Sequence, residues 1–144
     1  MIKKMLNYQK ILKDNMVNVL KDILANIKKN SLSDFNQLYI TFLTNHKNVK
    51  IPNWLLDKYP DEITIIIQYE YYDLKINKES FNVTLSFNDV KANLKIGYES
   101  VISFADPSAN FGLKLISEES NKKVKNKIIK NKDNVINFSN FKKN

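Results

Sequence analysis

Along the chain the apolar positions fall first into a helical rhythm and then into a two-residue one. Met5, Tyr8, Leu12, Met16, Val19, Leu20, Ile23, Leu24 and Ile27 recur at three- and four-residue intervals. That spacing predicts a single amphipathic helix over residues 5–30. Asn7 or a neighbour supplies its N-cap, and no glycine or proline interrupts it. The apolar stripe covers an arc of roughly 160°, wider than one contact with a sheet needs. Packing on a sheet and packing against a second copy of the helix are therefore both open. In the second case Leu12, Met16, Val19, Leu20 and Ile23 are the candidate dimer residues.

From residue 38 onward the pattern becomes that of strands. Residues 38–43 alternate in part, and residues 63–72 hold four isoleucines and three tyrosines in ten positions. Branched and aromatic side chains of that kind fit a pleated surface. Side chains two apart share a strand face, so Ile66, Gln68 and Glu70 look one way and Ile65, Ile67 and Tyr69 the other. Residues 81–88 give the cleanest alternation, with Phe81, Val83, Leu85 and Phe87 inward and Asn82, Thr84, Ser86 and Asn88 outward. Residues 90–98, 101–105 and 111–115 add further strands, and Gly97 reads as a bend or bulge. Residues 74–79 read as a reversal. Residues 51–60 form a short element between Pro52 and Pro60, with Trp54 and Leu55 expected to plug one end of the core. The expected class is α+β, mainly β: a small antiparallel barrel or sandwich behind one long helix.

After residue 116 no periodicity persists, and lysine, asparagine, serine and glutamate dominate. The organisation expected is a folded domain over 1–116, a disordered linker over 117–134, and a terminal segment over 135–144. That last segment holds four large apolar residues, Val135, Ile136, Phe138 and Phe141, beside Lys142 and Lys143.

Charge sharpens this division. Of the net +8, residues 117–144 carry an excess of five, from eight lysines against three acids. Residues 1–116 hold fifteen lysines against twelve acids. Every basic residue is lysine, and bidentate base reading favours arginine, which argues against sequence-specific DNA recognition. The chain has no cysteine and one histidine, His46, in a turn. Most nucleophile–base pairs, and every thiolate metal site, therefore have no candidates. Its two glycines cannot build a phosphate loop. A non-enzymatic binding protein without metal or cofactor is expected. No run approaches the roughly 18–20 apolar residues of a membrane span. Residues 1–10 lack the pattern of a secretory signal. A cytoplasmic location is the expectation.

Several runs then carry a resemblance. Tyr39 to Phe42, Val49 to Leu55, Tyr59 to Ile65 and Phe81 to Phe87 come in order, followed by Phe104 to Ser108 and Phe111 to Leu113. Over about residues 8–116 they resemble the alpha class of the stringent starvation protein B family, SspB. Residues 135–143 are similar to that family's C-terminal ClpX-binding motif. The resemblance implies a homodimeric adaptor for the ClpXP protease. Such a protein binds the ssrA degradation tag on a small β domain and docks its tail on the N-terminal domain of ClpX. It implies a groove glutamine at Gln68, with Ile66 and Glu70 on the same face. Thr84 and Ser86 are neighbours by pattern. The docking residues it implies are Val135, Ile136, Phe138, Phe141, Lys142 and Lys143. A small-barrel RNA-binding module with a basic tail is the alternative, although Phe81 and Phe87 alternate inward and arginine is absent.

Overall fold

A computed structural model describes residues 5–30 and 36–114. The linker and terminal segment expected at 117–134 and 135–144 lie outside the described residues. The helix α1 spans Tyr8–Asn30. It begins where Asn7 caps it: the Asn7 side-chain oxygen accepts from the Lys10 N–H at 3.0 Å, and its carbonyl accepts from Ile11 at 3.1 Å. That satisfies donors the first turn would leave open. Lys28 and Lys29 sit in the last turn, where positive charge suits the helix dipole. Met16, Leu20, Leu24 and Ile27 form the buried row.

The strands follow as β1 (Leu38–Leu43), β2 (Val49–Lys50), β3 (Glu62–Ile67), β4 (Tyr71–Ile76), β5 (Ser80–Phe87), β6 (Val90–Gly97), β7 (Val101–Asp106) and β8 (Phe111–Lys114). A short helix α2, Asn53–Lys58, lies between β2 and β3 behind Pro52. Two four-stranded sheets result, ordered β3-β1-β7-β8 and β2-β6-β5-β4, with every pairing antiparallel. Of the two architectures expected, this is the sandwich. Leu38, Ile40 and Phe42 on β1, Ile63, Ile65 and Ile67 on β3, and Phe104 on β7 face one core. Phe81, Val83, Leu85, Leu94 and Ile96 of the second sheet meet them there, and α1 adds its buried row. Each fully buried aliphatic or aromatic side chain contributes about 1.5–3 kcal/mol.

The run of β formers over 63–72 is not one strand. β3 ends at Ile67, residues 68–70 bend, and β4 starts at Tyr71 in the other sheet. The physical cause is visible in the burial parity. Ile63, Ile65 and Ile67 are buried at odd positions, whereas the next buried residue is Leu74, at an even one. A chain that crosses from sheet to sheet must turn a new edge inward, and Asp73, at φ 53°, accommodates the irregularity between Tyr72 and Lys75. The reversal expected over 74–79 is correspondingly shorter, because β4 runs on to Ile76.

Two further expectations change. Trp54 does not plug the core: it stays 44% exposed, with its ring edge-on to Phe87 at 6.3 Å, while Leu55 is buried. Gly97 is required by a close approach rather than a bend. A Cβ there would lie 2.5 Å from the Asn48 Cβ and 3.0 Å from the Asn48 carbonyl oxygen. That oxygen accepts from the Gly97 N–H at 3.0 Å. The β5–β6 reversal is a two-residue turn with Asn88 at φ 51° and Asp89 at φ 67°. Two residues with positive φ match the twist of antiparallel strands.

Candidate peptide-binding site

Alternation on β1 and β3 turns Tyr39, Thr41, Thr64 and Ile66 away from the core. The pairing then aligns them in two rows across the first sheet. One row reads Ile66, Tyr39, Ala105, Gly112, and the next reads Thr64, Thr41, Ser103, Lys114. The first is apolar with small residues on the β8 side, and Ile66 is 46% exposed. The second is hydroxyl-rich, with the Thr41 and Thr64 hydroxyls 2.7 Å apart.

Gln68 stands just beyond the end of β3. Its side-chain oxygen accepts from the Gln37 amide nitrogen at 3.3 Å, and the Gln37 oxygen accepts from the Tyr39 hydroxyl at 3.4 Å. Each amide in that chain keeps hydrogen-bonding capacity beyond the bond made. Both are half-buried, so they are held without being sealed off. β3 and β4 are edge strands of their sheets, and residues 68–70 join them. Gln68 therefore sits at a corner where two strand edges meet. An edge strand offers unpaired backbone groups that an extended peptide can complete.

Asp106 fixes the approach to this corner. Burial pushes its carboxyl upward, but hydrogen bonds from the Ser108 and Asn36 side chains and from the Gln37 and Ser108 backbone outweigh that and hold it below the usual range. The Asn36 bond is 2.7 Å long. Because one donor is the Gln37 N–H, the carboxylate anchors the residue that touches Gln68.

The sequence-expected residues do not all converge here. Ile66 and Gln68 lie on or beside the first sheet, and Glu70 is exposed in the crossover. Thr84 and Ser86 face outward from the second sheet, opposite Tyr72 and Asn93 in one row and Lys91 in the next. The Thr84 hydroxyl accepts from the Asn93 amide at 2.9 Å. They share a sheet with each other and not with Ile66. Sequence reasoning missed Gln37, Tyr39 and Ala105. The alternation over 38–43 already turned Tyr39 outward, but its pairing with Ile66 and Ala105 is long-range.

The five helix residues also divide. Met16 and Leu20 are packed in the protein's own core. Leu12 is 55% exposed, Val19 is exposed, and Ile23 is half-buried. Val19 and Ile23 line a cleft of about 490 Å³ whose far wall includes Leu38 and Phe111. Among the described residues no group of three or more histidine, cysteine or acidic side chains could hold a metal. No described helix is long and apolar enough to cross a membrane.

A family model described as Stringent starvation protein B matches residues 10–140. No curated protein matches the chain.

Proposed function

The chain belongs to the stringent starvation protein B family, whose members act broadly as adaptors for the ClpXP protease rather than as enzymes, and on that premise we propose that it delivers ssrA-tagged polypeptides to ClpXP. The tag lies along the outer face of the first sheet. Ile66 and Tyr39 receive its apolar side chains, and Gln68, backed by Gln37, pairs with its backbone or a side-chain amide. Residues 135–144 dock on the N-terminal domain of ClpX through Val135, Ile136, Phe138 and Phe141, with Lys142 and Lys143 beside them. Two copies associate through Leu12, Val19 and Ile23 on α1. The linker over 117–134 raises the effective concentration of cargo at the unfoldase to around millimolar, so individually weak contacts suffice.

The observation that carries this reading is the hydrogen-bonded chain Tyr39, Gln37, Gln68 beside exposed Ile66 at a strand edge unpaired among the described residues. Fluorescence anisotropy of a labelled ssrA peptide tests it. Loss of one or two hydrogen bonds in Gln68→Ala predicts about tenfold weaker binding, at roughly 1 kcal/mol each. Absence of binding by the unaltered protein sinks the adaptor reading. Deleting residues 134–144 should abolish enhanced degradation and spare peptide binding; loss of both would refute the division of labour between sheet and tail.

A further inference from the structure

The outer face of the second sheet carries a chemistry that tag delivery does not use. Strand register places Lys50 on β2 opposite Lys95 on β6, Lys95 opposite Asn82 on β5, and Asn82 opposite Lys75 on β4. Three lysines thus stand in a single row across four strands, about 14 Å from end to end at the usual strand spacing. Like charges directly opposite each other destabilise a ladder. Lys50 and Lys95 are such a pair, and both are exposed. Among the described residues no ion pair engages Lys47, Lys50, Lys75 or Lys95. A local rule is broken here without a compensating ion pair among the described residues, which is how a site for an outside partner often shows itself.

One end of the row is built into a pocket. The close approach of Asn48 to Gly97 seats the β1–β2 turn against β6. That brings Lys47 and Lys50 together with Lys95 around a pocket of about 160 Å³, completed by Asn48, Glu79 and Ser80. Among the described residues Glu79 is the one carboxylate lining it, so three positive charges meet one negative. Beyond the pocket the outward positions are Asn82, Thr84, Ser86, Lys91 and Asn93, with Tyr72 at the β4 edge under the Lys91 ammonium at 4.4 Å from its ring centre. Besides Glu79, the acids within residues 71–97 are Asp73 in the β4 irregularity and Asp89 in the β5–β6 turn.

We propose that this face binds the phosphate backbone of a single-stranded nucleic acid, with the Lys47, Lys50 and Lys95 pocket taking one phosphate and Lys75 and Lys91 the following ones. A lone phosphate would need only the pocket, whereas the row extends past it with hydroxyls and amides that bond phosphate and sugar. Tyr72 offers a ring on which a base can stack. Lysine alone positions a backbone without reading bases, so the absence of arginine limits sequence preference and leaves affinity intact. The site occupies the sheet opposite the proposed tag face and stands independently of it.

The test uses the full chain and a fluorescein-labelled 15-nucleotide uridine oligomer, with anisotropy recorded across a salt series. Lys50→Gln/Lys75→Gln/Lys95→Gln keeps the tail lysines, so the comparison isolates the sheet. Each phosphate contact on a single strand contributes about 0.7 to the slope of log affinity against log salt. The triple variant disturbs two phosphate positions, the pocket's and that of Lys75, so it should lose between about 0.7 and about 1.4 units of slope and bind at least about tenfold more weakly at low salt, with ssrA-peptide affinity unchanged. Lys75→Gln alone, at a single phosphate position, should lose about 0.7. Equal slopes for variant and unaltered protein overturn the proposal. So does a polyglutamate peptide of matched charge binding as tightly as the oligomer, which would mark an acidic protein partner. Full competition by inorganic phosphate at constant ionic strength overturns the extended-strand reading.

Discussion

Two leucines on α1 should respond to the same truncation in opposite ways. Leu24 is 0% exposed and belongs to the core shared by both sheets. Leu24→Ala removes its buried methyl groups and leaves a cavity the sandwich can close only in part, a loss of about 2–5 kcal/mol. Leu12, 55% exposed, has little to lose within one copy, so Leu12→Ala should change the stability of an isolated monomer by no more than about 0.5 kcal/mol. If α1 pairs with a second copy, however, Leu12 still has about half of its burial energy in reserve, near 1 kcal/mol per copy. The symmetric dimer loses that amount twice, and about 2 kcal/mol corresponds to a roughly thirtyfold rise in dimer Kd. Urea denaturation at two protein concentrations, with sedimentation equilibrium for the association, separates the cases. Leu24→Ala should shift the midpoint equally at both concentrations, and Leu12→Ala should act through association. A Leu24→Ala cost under 1 kcal/mol would mean that the helix is not seated on the sheets. An unchanged dimer Kd in Leu12→Ala would remove this face of α1 as the interface.

Two other perturbations follow from the same packing. Gly97→Ala forces a methyl group to within 2.5 Å of the Asn48 Cβ, so the turn holding Lys47 must shift; a loss of about 1–3 kcal/mol in chemical denaturation is expected, and no loss would show that the turn moves freely. The Asp106 carboxyl, held below its usual range by its hydrogen bonds, gives stability that is present above the ordinary carboxylate pKa of about 4 and lost as pH falls through the lowered value. Asp106→Asn should flatten that acid limb in a pH series of unfolding free energies and reduce stability at neutral pH, and an unaltered acid limb would contradict the assignment.

How far the sequence reveals this molecule depends on the range of the contacts involved. The helix, its cap at Asn7 and the inward set Phe81, Val83 and Leu85 are local patterns and were legible. The wide stripe on α1 was legible as wide, but which residues face the protein's own core is set by how the helix docks, and that depends on partners far along the chain. The run from Ile63 to Tyr72 misled because β propensity does not record a change of sheet. The switch from odd to even buried positions between Ile67 and Leu74 marks it only once the fold is known. The alternation over 81–88 turns Thr84 and Ser86 outward, as they are, yet outward on the second sheet is a different surface from outward on the first. Gln37 precedes its strand and carried no periodic signal; only the fold brings it to Gln68.

The strand order also bears on when each half of the protein can exist during synthesis. β4, β5 and β6 are consecutive and joined by short turns, so most of the second sheet can assemble from one contiguous stretch of nascent chain. β1 must instead wait for β3 on one side and for β7 on the other. The row from Ile66 through Tyr39 to Ala105 and Gly112 draws on both ends of the domain. An unfinished chain, however well its second sheet has folded, lacks the row on which the tag is proposed to lie.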